Sequence, residues 1–510
     1  MAGVDRARTL LDAARTVLAD DPHARADLDL CEHRLYQPVR VALAGSLKAG
    51  KSTLLNALVG QDIAPTDATE CTRVVTWYRN GQSPSVTAHV DDGRSVPIPV
   101  TRIDGRLGFD FGRLTADRVD RLDVEWPARA LHSTTIVDTP GTASLSTELS
   151  ASTIRLLTPE DGQSGVDAVV YLLRSLTATD TAMLRRIGTA IGGSSGPLGV
   201  IGVVSRADEL GAGRMDAMIS AHQIAGRFAG ELERTGLCQA VVPVAGLLAL
   251  GARTLREVEF RALAQLAATP GPDLESALLT MDRFTRPDIL PAISVDLRRS
   301  LAERFGAFGI RMAVTLIRFG ATSSSTLATE LVERSGLSEL GAIIDTQFAQ
   351  RADQLKSHSA LVTLDHLLSG SSSSRAREVR AAVRRELADV HGFRELRLLS
   401  TIRAGGLELP PDQIGELTRL IGGSGIDPTT RLGLPLDTDT HRIRDAAVDA
   451  ARTWRARAAH PLLSPTAASA CQVAVRSAEG IVAMIGAGAS ANTGGAHQRG
   501  VSGGSHRSNG

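Results

Sequence analysis

The stretch from Val39 to Val59 reads VRVALAGSLKAGKSTLLNALV. Its apolar start is typical of a strand buried on both faces, and its end has the composition of a helix. The turn between them matches GxxxxGK[S/T] in the strand–loop–helix context that this pattern requires. Such a turn directs backbone N–H groups and the positive end of a helix toward phosphates. We therefore predict that this stretch binds the phosphates of a nucleoside triphosphate.

Individual residues of this loop have separate predicted roles. Lys51 is expected to reach the β and γ phosphates, and Ser52 is expected to bind Mg²⁺. A helix start with a chance lysine is the alternative, but lysine occurs in the 510-residue chain only at Lys48, Lys51 and Lys356. The predicted nucleotide-binding residues of the loop are Gly45, Ser46, Leu47, Lys48, Ala49, Gly50, Lys51, Ser52 and Thr53.

A second motif, IVDTPG, runs from Ile136 to Gly141 and combines an apolar strand with an acidic residue and a tight turn. Behind a phosphate loop, Asp138 is predicted to hold the Mg²⁺ shell through water, and the Gly141 N–H is predicted to sense the γ phosphate. Taken alone, the motif is equally well explained by an Asp-initiated turn.

A threonine between these motifs, Thr72, lies in a segment where Pro65 interrupts regular structure. We predict that its hydroxyl binds Mg²⁺ and its carbonyl binds the attacking water, which makes the segment responsive to nucleotide. Thr66 and Thr69 are alternatives for this role. The predicted metal ligands are therefore Ser52, Thr72 and Asp138, and the predicted catalytic residues are Lys48, Lys51, Thr72 and Gly141.

The apolar run VIGVVSRAD ends in an acidic residue, Asp208. Ligands of open α/β sheets bind at the carboxyl ends of strands, and a carboxylate there can accept hydrogen bonds from N1–H and the exocyclic amine of guanine. We predict that Asp208 selects guanine and that Arg206 covers the ring, although guanine-nucleotide enzymes typically carry [N/T]KxD here. A helix-capping aspartate is the alternative. The turn Val244-Ala245-Gly246, after another buried strand, is predicted to contact the base through its backbone N–H groups, with Ala245 at its centre.

The composition excludes several classes of protein. The 56 Lys and Arg residues balance the 56 Asp and Glu residues, so there is no global basic field for nucleic acid. The four cysteines form no CxxC pair, which indicates neither a zinc site nor a disulfide framework. The first residues lack the apolar core of a signal peptide, and no apolar run is long enough to span a bilayer. We expect a cytoplasmic protein that does not cross the membrane.

Short apolar runs alternate with helical patterns up to about residue 268, which predicts an α/β head with a mainly parallel sheet and helices on both faces. Beyond it, long helical patterns predict an all-α bundle or stalk, and the Gly/Ser-rich end is predicted to be disordered. The predicted divisions are 1–29 (N-terminal helix), 30–268 (head), 269–465 (stalk), 466–488 (C-terminal helix) and 489–510 (tail). The predicted strands are Val39–Leu43, Val74–Tyr78, Leu122–Trp126, Thr134–Val137, Ala168–Leu173, Val200–Val204 and Ala240–Val244.

These motifs, in this order, resemble those of dynamin-like GTPases, and in particular the isoniazid-inducible dynamin-like proteins of bacteria. The resemblance implies GTP hydrolysis with Mg²⁺, a GTPase head joined to a helical stalk, and nucleotide-dependent pairing of heads. It also implies that the two terminal helices pack together as a neck, although the residues alone allow two unrelated bundle helices. The stretches that carry it are AGSLKAGKSTL from Ala44, DIAPTDATE from Asp62, IVDTPGT from Ile136, SRADE from Ser205 and ERFGAFGIRM from Glu303.

Two loop residues depart from the family pattern. Leu47 and Lys48 stand where dynamins carry Gln and Ser, of which the Ser helps to hold a monovalent cation and the Gln helps to position water. Leu47 cannot orient water, so hydrolysis is expected to be slow or to rely on backbone groups near Thr72. We hypothesise that the Lys48 ammonium replaces the cation or an arginine finger, and a solvent-facing lysine is the alternative. Asp180 matches the head-to-head region of dynamins, or is simply an acidic residue in a first helical turn.

The favoured interpretation is a dynamin-like GTPase that binds GTP and GDP and assembles to remodel or maintain the bacterial plasma membrane. Its expected partners are other copies through their heads, an anionic lipid membrane bound peripherally on the inner face, and a related dynamin-like protein, but no nucleic acid. The loop regions 396–409 and 420–425 are candidate membrane contacts, because apolar residues lie there beside Gly and Pro. A ribosome- or RNA-associated switch GTPase and a P-loop ATPase scaffold protein are the other two interpretations.

Overall fold

A computed structural model of the chain describes residues 2–65, 74–103, 106–112, 114–115, 118–140, 153–158, 164–192, 199–235, 237–371, 373–389, 391–403 and 406–494. Packing divides the chain into two compact units, Met1–Asp389 and Val390–Gly510. Each unit has its own hydrophobic core, and each is described by itself.

The first unit is built on a sheet that has nine strands within the described residues. Their order across the sheet is β11-β10-β9-β1-β8-β2-β7-β3-β4, and β5 and β6 form a separate hairpin. The strands are β1 Val39–Gly45, β2 Val75–Asn80, β3 Ser85–Val90, β4 Ser95–Pro97, β5 Val100–Ile103, β6 Arg106–Phe109, β7 Val119–Trp126, β8 Thr134–Asp138, β9 Ala168–Leu173, β10 Val200–Ser205 and β11 Ala240–Val244.

The centre of the sheet is parallel. β1 pairs with β8 on one side and β9 on the other, and β9, β10 and β11 continue the parallel order. All side chains of β9 and β10 are buried, which explains their uninterrupted apolar sequences. The predicted α/β class is therefore confirmed. The carboxyl ends of β1 and β9 lie side by side at one edge of the sheet, and the chain continues from these two strands in opposite directions across the sheet.

The far side of the sheet holds strands that the sequence did not predict. β3 alternates buried and half-buried residues, as expected of a strand with one covered face, and it pairs antiparallel with β7 and β4. β2 is antiparallel to β8, so the sheet is mixed rather than wholly parallel. Because β3 and β4 are short and polar on one face, no apolar run marks them.

Helices cover the sheet and extend the first unit. The helix Pro22–Leu35 crosses the predicted division at residue 29, and proline does not end it. Proline instead occupies the first helical position, and the Asp21 side chain accepts hydrogen bonds from the backbone N–H groups of His23 and Ala24. The helices are Ala2–Val17, Pro22–Leu35, Lys51–Val59, Ala178–Gly192, Ala217–Arg234, Gly246–Arg253, Glu257–Ala268, Gly271–Ala277, Met281–Phe284, Val295–Arg318, Ser324–Arg334, Leu337–Ile344, Ala352–Leu367 and Ser374–Asp389, with shorter helical turns at 129–131, 207–212, 345–349 and 368–370.

Residues between 269 and 389, which belong to the predicted stalk, contribute to the core of the first unit. The predicted boundary at 268 therefore does not coincide with the division at Asp389. Phe305 and Phe308 share a buried cluster with Ala207 and Leu248 of the head. Leu340 packs in the cluster that contains the inner face of the sheet. The sequence pattern located these helices but not the surface against which they pack.

The second unit is a helical bundle. Its core includes Leu399, Leu407, Leu420 and Ile421, so the apolar side chains of the two candidate membrane loops are largely buried. This result corrects the predicted membrane contact. The helices are His391–Arg403, Pro411–Leu420, Pro428–Leu432, Thr440–Ala458 and Pro465–Gly494, the last of which continues past the predicted start of the tail at 489.

The terminal helices each pack within their own unit. In the first unit, Leu11 and Ala14 are buried with Leu361 and Leu364. In the second unit, Ala474 packs in the cluster around Trp454. Their association as a neck stays a prediction.

Candidate nucleotide-binding site

The turn after β1 requires glycine at its first position. Gly45 has a φ of 140°, and a Cβ built there would lie 2.5 Å from the carbonyl oxygen of Leu172 in β9. Gly50 also has a positive φ, of 94°, immediately before the helix that begins at Lys51. The close passage of β9 and the two left-handed positions explain the spacing of the glycines in the motif.

Lys51 lies folded over this turn. Its Nζ donates to the carbonyl oxygens of Gly45, at 3.3 Å, and Ser46, at 3.2 Å. The side chain is 8% exposed, and burial lowers the pKa of Lys51 while the charge of Asp138 opposes that shift. A buried ammonium that has two carbonyl partners in the described part of the chain is well suited to bind phosphate oxygens.

Ser52 and Asp138 come together as the sequence predicted. The Ser52 hydroxyl donates to Oδ2 of Asp138 at 2.7 Å. The other oxygen, Oδ1, is buried and has no hydrogen-bond partner among the described residues. Burial also raises the pKa of Asp138, whereas Lys51 and the Ser52 hydroxyl act in the opposite direction. A hydroxyl beside a carboxylate oxygen that lacks a partner fits Mg²⁺ with bound water, because Mg²⁺ prefers oxygen ligands and retains water.

Lys48 adopts a backbone conformation that is unusual for its residue type. Its φ is 58°, in the left-handed region, and its side chain is exposed. Holding a non-glycine residue there costs about 1–3 kcal/mol, and such residues concentrate at functional sites. The neighbouring Leu47 is 50% exposed, so about half of its apolar side chain faces solvent in this conformation.

A single cavity joins the phosphate loop to the predicted base-recognition residues. Asp208 and Arg206 line it together with Ala49, Gly50 and Thr53. These residues come from two segments more than 150 positions apart, at the carboxyl ends of β1 and β10. A nucleotide with its phosphates over the loop would therefore extend its base toward Asp208.

The Asp208 carboxyl group is nearly enclosed by protein. It is 7% exposed, and burial raises its pKa to about 6. Arg206 has a φ of 53°, and its guanidinium donates to the Glu209 carboxylate at 2.6 Å. The arginine is thus held at the cavity by a partner, Glu209, that the sequence did not identify as part of the site.

The predicted contact of the Ala245 N–H with the base is not supported by the geometry. This N–H donates to the carbonyl oxygen of Ser335 at 2.9 Å. Val244 and Gly246, the other two residues of the predicted turn, do line the cavity, together with Leu247. A fixed spacing after the strand could not reveal a partner that lies 90 residues further along the chain.

Several predicted residues lie outside the described residues, namely Thr72, its alternatives Thr66 and Thr69, and Gly141. Asp180 is described and has a structural role. Its carboxylate accepts hydrogen bonds from the Tyr171 hydroxyl at 3.0 Å and from the N–H and hydroxyl of Thr177 at 3.1 and 2.6 Å. Asp180 is thus an acidic residue in a first helical turn, and its place in a head-to-head contact stays a prediction.

Arg253 supports the far end of the helix that begins at Lys51. Its Nη1 donates to the carbonyl oxygens of Ala57 at 2.9 Å and Leu58 at 3.1 Å. These carbonyls have no partners within their own helix, and a guanidinium also complements the negative helix end. No sequence pattern identifies this cap, because the two partners are separated by almost 200 residues.

Comparisons with known proteins agree with this geometry. A model of the dynamin family matches residues 41–186. The isoniazid-induced protein IniC of Mycobacterium tuberculosis is 51% identical over 493 residues, which is 96% of this chain and 100% of IniC. The chain belongs to the IniC family of bacterial dynamin-like proteins. As a member of the IniC family it is a GTPase, and the ATPase interpretation is set aside.

More distant relatives match shorter parts of this IniC-family chain. A bacterial dynamin-like protein of Nostoc punctiforme is 43% identical over 70 residues, or 14% of this chain and 10% of that protein. A solved structure of an oligomerised bacterial dynamin pair, described as sensing and tethering membranes over long range, aligns with 78% of this chain and 79% of its own at 13% identity. Its TM-score is 0.30, which is too low to add to the assignment.

The described helices were also compared with the thickness of a bilayer. None of them is both long enough and apolar enough to cross it.

Proposed function

We propose that this chain binds GTP with Mg²⁺ at the phosphate loop, hydrolyses it, and couples hydrolysis to self-association on an anionic membrane. The observation that carries the proposal is the cavity in which Asp208 faces the loop residues Ala49, Gly50 and Thr53. Asp208 would select guanine, and Lys51 would hold the β and γ phosphates. The proposal also includes association through the heads, association with a related dynamin-like protein, and a peripheral location on the inner face of the plasma membrane. Family membership supports these three parts.

The reaction is attack of water on the γ phosphate, and it depends on positioning and charge stabilisation. Mg²⁺, when bound, would neutralise phosphate charge. Ser52 would present its hydroxyl to the ion. Oδ1 of Asp138 would orient a water molecule bound to the ion. Lys51 would exchange its two carbonyl partners for phosphate oxygens, which gives it a stronger, charge-assisted pairing. We assign Thr72 and Gly141 to the attacking water and the γ phosphate, respectively.

Lys48 provides the first test. If its ammonium supplies the positive charge that offsets developing phosphate charge, Lys48→Gly should lower GTP turnover at saturating substrate by about a hundredfold. Glycine tolerates the φ of 58°, so folding should be preserved or improved. Lys48→Arg keeps the charge and should retain most activity.

Phosphate release should be measured in potassium and in sodium buffer. The wild-type rate is expected to be the same in both. Equal turnover by the wild type and Lys48→Gly in both buffers would contradict the role of Lys48.

Membrane contact is assigned to the turn between the two longest helices of the second unit. Leu462 in this turn is 87% exposed, and Leu463 is half-buried beside it. Leu436, before the helix Thr440–Ala458, is 81% exposed and lies at the opposite end of that helix, which has 19 residues and is about 28 Å long. An exposed leucine in a short turn can enter a lipid interface without any change in the bundle core.

Leu462→Asp is therefore expected to reduce binding to anionic liposomes by roughly tenfold or more, since burial of a leucine is worth about 1.5–3 kcal/mol. Co-sedimentation should be measured with and without a non-hydrolysable GTP analogue, and the analogue should increase binding. Leu436→Asp is the matched control, with an equal change of charge. If both variants bind like the wild type, the assigned turn is wrong. If the wild-type protein does not bind liposomes in either state, the membrane part of the proposal fails.

A further inference from the structure

A second cavity, of about 540 Å³, lies in the first unit away from the nucleotide site. It shares no lining residue with the cavity at Asp208. Its volume is within the range of about 300–1,000 Å³ that is typical of small-molecule sites. Its lining residues come from β1, β8, the helix that begins at Lys51, and the helical segments around 129–133, 253 and 332–349.

The interior of this second cavity is mostly apolar, although three hydroxyl side chains also line it. Val41 and Leu43 of β1 and Ile136 of β8 belong to the buried core of the sheet, yet they also line the cavity. Leu58 and Ile344, on the facing helices, are only partly buried. Apolar side chains that face open space from several directions can gain contacts by accommodating an alkyl group.

Charged groups line the same cavity. Arg129 is exposed, and its guanidinium has no hydrogen bond or ion pair with any other described residue. Arg253 uses Nη1 for the two helix carbonyls, and Asp345 accepts a hydrogen bond from Gln350 at 2.6 Å. Two arginines and one aspartate leave a net charge of about +1, and a guanidinium is the preferred partner of a carboxylate. The charge therefore complements a single negative group rather than a polyphosphate.

We propose that the second cavity binds a free fatty-acid-like molecule, with its alkyl chain against the apolar interior and its carboxylate at Arg129. The alkyl chain would lie against the residues of β1 and β8, where it is removed from water. The carboxylate would pair with the Arg129 guanidinium, which lacks a protein partner among the described residues. This inference does not depend on the proposed membrane function or on bound nucleotide.

Gly341 permits a direct test. It lines the second cavity, and a Cβ built there meets no atom within 4 Å. Gly341→Leu should therefore place a side chain in the open space without a backbone clash, and it replaces a helical glycine by a better helix former. Gly226→Leu is the matched control, because Gly226 is exposed on the helix Ala217–Arg234 and also has no neighbour within 4 Å.

The experiment is fluorescence titration of the nucleotide-free full chain with dansylated undecanoic acid, followed by competition. Dodecanoate should displace the probe, whereas dodecyltrimethylammonium, which carries the opposite charge, should not. Gly341→Leu should abolish saturable binding, and Gly226→Leu should leave it unchanged. Arg129→Gln should weaken binding about tenfold or more, and Arg129→Lys less, because a charge-assisted hydrogen bond is lost only in the first.

Thermal unfolding followed by circular dichroism confirms that each variant is folded. Saturable binding of the same affinity by folded Gly341→Leu would overturn the proposal. Displacement by the cationic detergent as effectively as by dodecanoate would overturn the assigned ligand class. Absence of saturable binding to the wild type would reject the site altogether.

Discussion

GTP turnover is expected to fall by about a hundredfold to a thousandfold when Lys51 is replaced by methionine. The ammonium is buried over the phosphate loop, and its hydrogen-bond partners among the described residues are the carbonyl oxygens of Gly45 and Ser46. Methionine keeps most of the stem volume and removes the charge, so packing changes little while the interaction with the transferring phosphate is lost. Phosphate release at saturating GTP and Mg²⁺ measures the effect.

Lys51→Met must be compared with Lys48→Arg, in which a neighbouring lysine changes but the charge stays. A folded Lys51→Met variant with wild-type turnover would show that the loop is not the phosphate site. A loss of turnover in both variants would instead indicate general disturbance of the loop.

Asp208→Asn is expected to change the preferred base from guanine to xanthine. The Asp208 carboxylate can accept two hydrogen bonds from guanine, one from N1–H and one from the exocyclic amine. An asparagine amide accepts one hydrogen bond and donates another, and xanthine fits it because xanthine carries a carbonyl in place of that amine. Hydrogen bonds to charged groups are worth about 1.5–3 kcal/mol each, so GTP affinity should fall by about a hundredfold or more. A fluorescent GTP or XTP analogue is bound to each protein, and unlabelled GTP and XTP then compete with it for the site. The order of the two affinities should be reversed in the variant. An unchanged preference for GTP would exclude base recognition by Asp208.

The same residue gives nucleotide binding a dependence on pH. Burial raises the pKa of Asp208 to about 6, and only the ionised form accepts both hydrogen bonds. As the pH falls below about 6, proton binding competes with GTP, and affinity should decrease by up to about tenfold per pH unit. Asp208→Asn with GTP is the control, since the nucleotide and its phosphates are the same while position 208 does not titrate. Equal pH profiles would assign the effect to the phosphates.

The sequence was most informative where one local pattern determines both structure and chemistry. The loop from Gly45 to Ser52 was predicted because its glycines, lysine and serine must lie next to each other. The strands β9 and β11 were predicted to the residue, because strands of a buried parallel sheet are apolar at consecutive positions.

Residues whose roles depend on distant partners could not be predicted. The N–H of Ala245 is bound by Ser335, and Arg253 caps a helix almost 200 residues earlier. Leu420 was interpreted as membrane-exposed from its neighbours, yet it is 2% exposed, because helices elsewhere in the second unit cover it. Local composition does not specify which surface a helix contacts, so neither burial nor hydrogen bonding followed from it.

The packing of Phe305, Phe308 and Leu340 into the core of the nucleotide-binding unit limits how such proteins can be recombined. A chimera that joins this head to a relative's helices at residue 268 would separate these side chains from the surfaces they evolved to fill. Mismatched aromatic groups would then leave voids or clashes in the core that also holds Ala207 and Leu248, next to the cavity at Asp208. A crossover near 389 keeps every one of those contacts within a single parent, and laboratory evolution by domain shuffling should begin there.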